Sequence, residues 1–329
     1  MKIAITGASG HIGSNLCPLL IEKGHSLKVL IYKSDKGIPE KNTEIVKGDI
    51  TNLKDVEQLI EGTDAVIHLA AKISIGKDID GEIFKINKLG SENVVKASIK
   101  HNVKRLVYFS SIHTFNPFPL DEILDETREL IGFDGSDYDK SKIAGEFALA
   151  EAKAAGIETL IICPTSVFGP YDHFPSLLGG AIVDIYNRKI PALIPAGYDF
   201  VDVRDVAQGT VLALEKGKDG EKFILGGHYL TLKELAFKIG SVGKVKTTQR
   251  VLSISMLKWL LPYFKLESLI KGKPPVFTKE SLKILSESNP NISSEKASTV
   301  LGYQKTDIND SIQATLEWFN KDEQIKLQS

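Results

Sequence analysis

The sequence predicts an α/β fold: a doubly wound parallel sheet with a smaller, mostly helical C-terminal lobe. Three observations carry that prediction. Short, continuous apolar runs alternate with helical stretches from residue 2 to about residue 165, the pattern of βαβ units whose strands are buried on both faces. Beyond Pro164 the alternation fails, and turn-rich aromatic segments and short helices take over. The chain has 329 residues, 42% hydrophobic and 25% charged, which is enough for one full core and a second lobe. No repeat or low-complexity linker separates the two. The expected division is therefore 1–168 for the sheet unit, with about 197–226 returning to it, and 169–329 for an interleaved substrate lobe.

The first strand, Lys2 to Thr6, runs straight into Gly7-Ala8-Ser9-Gly10-His11-Ile12-Gly13 and the helical stretch Ser14 to Glu22. Strand, glycine turn and helix N-terminus together make a phosphate cradle of the Rossmann type. Gly7 permits the sharp turn, Gly10 lets the backbone approach a pyrophosphate, and Gly13 lets the helix pack closely. Free N–H groups and the helix dipole then face the anion. The spacing is GxxGxxG and differs from the common GxGxxG dinucleotide fingerprint. A glycine turn also occurs for structural reasons alone, but its place directly after an apolar strand favours a nucleotide.

The remaining elements follow in order. Leu27 to Tyr32 is a second strand, ending in the basic, flexible Lys33-Ser34-Asp35-Lys36-Gly37, and Glu44 to Lys47 is a third, stopping at Gly48-Asp49. A capped helix spans Asn52 to Ile60, and Ala65 to Ala71 is a buried strand. An amphipathic helix covers about Glu82 to His101, before the strand Arg105 to Phe109 and the pair Ser110-Ser111. The acidic stretch Asp121 to Asp137 reads as a surface loop. Tyr138 to Ala155 is helical and leads to the strand Thr159 to Cys163. Further on, Phe200 to Ala207 is expected to open a helix capped by Asp202 or Asp205, and Leu232 to Ile239, Phe277 to Leu285 and Ile308 to Phe319 are expected helices.

The totals exclude several classes of function. A net charge of −1 gives no global field for nucleic acid or an anionic membrane. Cys17 and Cys163 sit in separate apolar runs, as reduced core thiols do, and suggest neither a disulfide nor a metal site. The first residues form a strand without a basic and apolar leader, so no signal peptide is expected and the cytoplasm is the expected compartment. The run Met256 to Phe264 is broken by Lys258 and Pro262 and is too short to span a bilayer. A packed helix suits it better than membrane attachment through Lys265, Lys271 and Lys273.

Tyr138-Asp139-Lys140-Ser141-Lys142 places a tyrosine and a lysine at i and i+4, on one helix face. An ammonium beside a phenol favours the phenolate and is expected to draw its pKa from about 10 towards neutrality, where it can exchange a proton. The plain alternative is a solvated tyrosine one turn from a surface lysine. Ser111 ends a preceding strand at its C-terminal edge, where open α/β sheets bind their ligands. A hydroxyl there can bond a substrate carbonyl.

Together these pieces resemble an extended short-chain dehydrogenase/reductase of the NAD-dependent epimerase/dehydratase group. The matching motifs are TGASGHIG at 6–13, GD at 48–49, HLAA at 68–71, Asn87, SS at 110–111, YDKSK at 138–142, PTSVFGP at 164–170 and FVDVRDVA at 200–207. RLVYFSSIHTFN at 105–116 and ALEKGKDGEKFILGGHYLTLKEL at 213–235 look most like the dihydroflavonol reductase-like branch. The resemblance implies that Tyr138 is the general acid/base, that Lys142 lowers its pKa and binds the nicotinamide ribose, and that Ser111 orients the carbonyl. It implies a structural role for Asn87. Gly7, Gly10, His11, Ile12 and Gly13 would hold the pyrophosphate, Asp49 and Ile50 would lie near the adenine, Ala70 and Ala71 along the cofactor, and Pro164 and Val167 beside the nicotinamide. The resemblance also implies a homodimer through the helices at Glu82 to His101 and Tyr138 to Ala155.

Two departures refine that picture. NAD-preferring members end the second strand with an acidic residue, whereas this chain has Ile31-Tyr32-Lys33 and no carboxylate before Asp35. Lys33 or Lys36 can pair with a 2′-phosphate, so NADP is expected ahead of NAD. Ser166 stands where nucleotide-sugar epimerases carry an asparagine. The segments Ile112 to Phe118, Phe168 to Phe174 and Pro195 to Phe200 are rich in aromatics and are expected to line a pocket for a small apolar or aromatic carbonyl substrate. His113 and His173 read as packing or solvent-facing side chains. The expected function is reduction of a ketone or aldehyde. The alternatives are epimerisation or dehydration of a nucleotide sugar on the same Ser111, Tyr138 and Lys142, and a non-catalytic NAD(P)-sensing regulator.

Overall fold

A computed structural model describes residues 1–73, 78, 81–132, 135–253, 255–256, 259 and 288–321. The expected helix Phe277 to Leu285 and most of the run Met256 to Phe264 lie outside these residues. The main sheet has seven strands in the order β3-β2-β1-β4-β5-β6-β9. They are β1 (Lys2–Thr6), β2 (Ser26–Ile31), β3 (Thr43–Lys47), β4 (Ala65–His68), β5 (Arg105–Phe109), β6 (Glu158–Pro164) and β9 (Glu221–Leu225), and every pairing is parallel. The strand order reverses between β1 and β4. Parallel sheets open a crevice at that point beyond the C-terminal strand ends.

Helices cover both faces. On one side α1 (His11–Glu22) and α7 (Val203–Lys216) pack on Ile3, Ile5, Val29, Ile67, Val107 and Ile162. On the other, α2 (Leu53–Ile60), α4 (Gly90–Lys100) and α5 (Asp137–Ala154) pack on Ala4, Leu30, Val66, Leu106 and Tyr108. Adjacent strand residues thus face opposite layers, which is why the strands read as unbroken apolar runs. A second sheet joins β7 (Ser166–Phe168), β8 (Gly197–Asp202) and β10 (His228–Thr231). Its core is shared with α6 (Leu177–Tyr186), α8 (Leu232–Gly243) and α9 (Ile308–Lys321) through Phe168, Phe200, Ile239 and Ile312.

The structure moves several expected boundaries. β4 stops at His68, three residues short of Ala71, because its partner β1 ends at Thr6 and the glycine turn carries the chain away. Phe200 and Val201 belong to β8, paired with His228 and Val167, and the helix starts only at Val203, capped by Asp202 through the Arg204 N–H. The long helix is α3 (Glu82–Phe84), a π turn (Lys85–Leu89) and α4 in succession. The acidic stretch is tied down by bridges from Leu130 to Phe115 and from Leu124 to Ile292.

β5 and α5 meet closely. The Tyr108 hydroxyl donates to the Lys142 carbonyl at 3.0 Å, and a Cβ on Gly145 would collide with that hydroxyl and lie 2.9 Å from Ser91 Oγ. Both obstacles are buried and close-packed, so Gly145→Ala is expected to cost ~1–3 kcal/mol of stability. A lower urea midpoint with an unchanged m-value checks this.

Candidate active site

The glycine turn lies at the C-terminal edge of β1. Gly7 has φ +75°, and a Cβ there would sit 2.7 Å from the Ala70 backbone nitrogen. Gly13 presses its helix turn onto the carbonyls of Gly7 and Ala8, which a side chain would strike. Around Gly10 only the Gly7 carbonyl is near, at 3.2 Å, and Gly10 provides no side-chain cap for α1. The first-turn N–H groups of His11, Ile12 and Gly13 have no intrahelical acceptor by geometry. An open cradle with uncapped donors at a helix N-terminus fits a pyrophosphate. His11 turns its ring the other way: Nε2 lies 3.1 Å from the Pro170 carbonyl, to which Asn15 also donates at 3.0 Å. Burial lowers the His11 pKa, with Asp172 pulling it back up.

The other expected cofactor residues rim the same edge. Lys33 is exposed just beyond β2, its ammonium 5.2 Å from the Tyr32 ring centre. Asp49 and Ile50 follow β3: the Asp49 carboxylate accepts from Thr51, and Ile50 packs against Gly90 while its carbonyl accepts from Asn93. Ala70 donates its N–H to Thr6 Oγ1 at 3.2 Å, and Ala71 is half-buried beside it. Pro164 ends β6 opposite Leu225, and Val167 in β7 packs on the main core.

Asn87 lies in the π turn and clasps the stretch after Ala71. Its side chain accepts the Lys72 N–H at 2.7 Å and donates to the Lys72 carbonyl and to Ser141 Oγ. Beneath it Ser91 donates to the Asn87 carbonyl, His68 Nε2 lies 3.1 Å from Ser91 Oγ, and His68 Nδ1 lies 2.7 Å from Thr6 Oγ1. Burial, and then Lys142, push the His68 pKa down to about 3. The ring is therefore neutral. With the Ser91 hydrogen spent on Asn87, Nε2 carries the proton and Nδ1 accepts from Thr6.

Ser111 caps a single 3₁₀ turn, Ile112–Thr114, and is buried, with its Oγ accepting from the His113 N–H. Tyr138 lies in the first turn of α5, whose start is fixed by a capping box between Ser136 and Asp139. Burial pushes the Tyr138 phenol up to about 12, partly opposed by its hydrogen bond with Ser111. Lys142, one turn on, is fully enclosed and sits 4.7 Å over the Tyr108 ring. Burial brings its ammonium down to about 8, with Cys163 and Glu146 pulling the other way. The expected fall of the phenol towards neutrality is thus corrected: desolvation dominates, and Tyr138 holds its proton.

The aromatic pocket lining is corrected as well. Phe115 is buried with Leu124, Cys163 and Ile224, and Phe168 and Phe200 meet edge-to-face in the core of the second lobe. Apolar area won over lining, since these rings face packed elements. Phe118, Tyr171 and Phe174 remain exposed. His113 is exposed, and His173 meets Trp318 edge-to-face, ring centres 4.9 Å apart, beside a cavity of about 730 Å³ whose walls include Ser14, Asn15, Gly37 and Arg204 but none of Ser111, Tyr138 and Lys142. Glu146 and Lys222 belong to no sequence motif of the site, and His68 enters only as the first residue of HLAA. The i+4 spacing from Lys142 marks Glu146 on the same helix face, whereas Lys222 reaches it from β9, where no local pattern points to it. Among the described residues no helix is long and apolar enough to cross a membrane.

Residues 3–226 match the model of the NAD dependent epimerase/dehydratase family. The chain is 26% identical over 339 aligned positions to a putative dihydroflavonol 4-reductase of Synechocystis, covering 98% of this chain and 96% of that protein. It is 28% identical over 238 residues to sterol demethylase protein B of Methylococcus capsulatus, covering 71% and 72% of the two chains. The crystal structure of gox2253 superposes with a TM-score of 0.86 at 28% identity, covering 99% of each chain. With its parallel sheet, glycine cradle and family match, the chain belongs to the NAD-dependent epimerase/dehydratase family of extended short-chain dehydrogenases/reductases and is an NAD(P)-dependent oxidoreductase.

Proposed function

We propose that the chain reduces the ketone or aldehyde of an apolar or aromatic compound, with NADP(H) as the preferred cofactor. The observation that carries this reading is the placement of Tyr138 in the first turn of α5, one helical turn before the buried Lys142, with the strand-end Ser111 acting on its phenol. When bound, the nicotinamide supplies the hydride. The chain's own residues do the rest. Ser111 donates a hydrogen bond to the substrate carbonyl oxygen and polarises it. Tyr138 gives its proton to that oxygen as negative charge develops, being a stronger acid than the alcohol formed. The Lys142 ammonium then stabilises the phenolate left behind. The cradle residues Gly7, Gly10, His11, Ile12 and Gly13 hold the pyrophosphate by backbone N–H groups. The names of the two sequence relatives, sterol demethylase protein B and a putative dihydroflavonol 4-reductase, support an apolar substrate class.

Lys33 supports the NADP choice, being an exposed cation beyond β2 where a carboxylate would otherwise hold the ribose diol. A panel of aromatic and steroidal ketones with each cofactor tests the whole reading. Net NADPH consumption is expected, whereas an epimerase returns its hydride and shows none. NADH performing as well as NADPH at equal concentration would refute the cofactor choice. Lys33→Glu is expected to raise the KM for NADPH about tenfold, for the loss of one charge-assisted contact, and to leave that for NADH little changed.

A further inference from the structure

Tyr138 and Lys142 share their helix face with a third ionisable group. Glu146, one further turn along α5, is buried and points into the layer beneath Ser111. Its Oε1 accepts a hydrogen bond from Ser110 Oγ and lies 3.3 Å from Thr114 Oγ1, while Oε2 pairs with Lys222 Nζ at 2.6 Å. Ser110 and Thr114 bracket Ser111, and the Thr114 hydroxyl also donates to the Ser111 carbonyl at 2.8 Å. Lys222 comes from β9, with its ammonium 4.9 Å over the Phe115 ring. One carboxylate therefore ties α5, the turn after β5 and the edge strand β9 together.

We propose that Glu146, clamped by Lys222, is a positioning residue for the Ser111, Tyr138 and Lys142 site. It holds the Ser110-to-Thr114 turn that presents Ser111 and sets a negative charge one turn from Lys142. The proposal rests on the carbonyl-reductase reading given above. Stability alone does not account for the pair, because apolar residues of similar volume commonly replace a buried ion pair at no loss. The surroundings of Lys142 sharpen the point. β4 offers it only the neutral His68, β5 the Tyr108 ring and β6 the Cys163 thiol. Among the described residues Glu146 is the one carboxylate acting on Lys142, and it opposes the loss of the proton that burial promotes. Facing Glu146 itself are Lys222, Ser110 and Thr114, with Tyr108 and Cys163 feeling its charge.

The test compares Glu146→Gln with the double variant Glu146→Gln/Lys222→Met, which removes both charges of the ion pair. Three quantities are read: thermal midpoint, kcat and KM with NADPH and the best carbonyl of the panel, and the titration of Lys142 by NMR in lysine-labelled protein. The single variant is expected to lose stability, and the double variant to regain it. Both should lose about 10–100-fold in kcat with KM for NADPH unchanged, and both should titrate Lys142 about one pH unit lower. A double variant that regains kcat along with its midpoint would reduce the pair to a structural one and overturn the proposal, as would an unmoved Lys142 titration. The titration needs no turnover. If the panel gives no activity at all, the carbonyl-reductase reading falls, while a lowered Lys142 midpoint still upholds the Glu146 contact and an unmoved one still overturns it.

Discussion

Tyr138→Phe is expected to lower carbonyl reduction by about 10²–10⁴-fold in kcat, the usual worth of a positioned general acid. The substitution removes one oxygen and leaves the ring, so the half-buried packing of α5 is kept and the thermal midpoint should stay close to wild type. The neighbouring histidines and cysteine do not replace the phenol. His113 is exposed, His68 is neutral and committed to Thr6 and Ser91, and the Cys163 thiol is raised well above its usual range by burial. NADPH affinity should change little, since the cradle lies at the other side of the strand-order reversal. Steady-state kinetics with the panel's best substrate decide the matter. Unchanged activity would remove Tyr138 from the mechanism.

Lys142→Met is expected to do two opposite things: abolish most turnover and stabilise the cofactor-free protein. The ammonium is fully enclosed, and its pKa falls from 10.5 to about 8. The unfolded chain therefore binds more protons than the folded one between about pH 8 and 10.5, and stability rises with pH across that window. Below pH 8 the whole penalty of the buried charge is present. Methionine fills the same space without it, so the thermal midpoint of the variant at pH 7 should exceed that of wild type, and the difference should shrink as pH climbs through the window. Activity runs the other way. A mechanism that needs the ammonium loses kcat/KM as pH rises through about 8, while Tyr138, at about 12, keeps its proton throughout. A thermal melt series at pH 7 and pH 10, beside a pH–rate profile, reads both effects. A variant that is both active and no more stable would deny the lysine either role.

How much of this was legible beforehand differs from residue to residue. The glycine turn was legible because its constraints are local: Gly7 needs a positive φ, and Gly13 lies against carbonyls only a few residues away. The Tyr138 and Lys142 pair was legible because helix periodicity puts i and i+4 on one face. The boundary at Phe200 was not, since a strand pairing with His228 and Val167 overrode the helical appearance of FVDVRDVA. The aromatics assigned to a pocket wall were misplaced for a related reason. Phe115, Phe168 and Phe200 are drawn inward by partners distant in sequence.

The sequence by itself determined the βαβ alternation, the glycine turn before the first helix, and the spacing that lines up Ser111, Tyr138 and Lys142 as candidates, because each is written in short-range periodicity and backbone sterics. Only the tertiary structure decided the strand order, the engagement of Glu146 by Lys222 from a strand 76 positions away, and the direction in which the phenol's pKa moves. Those depend on which groups are removed from water and what they meet there. Desolvation is a property of the packed molecule, and no local pattern of residues encodes it.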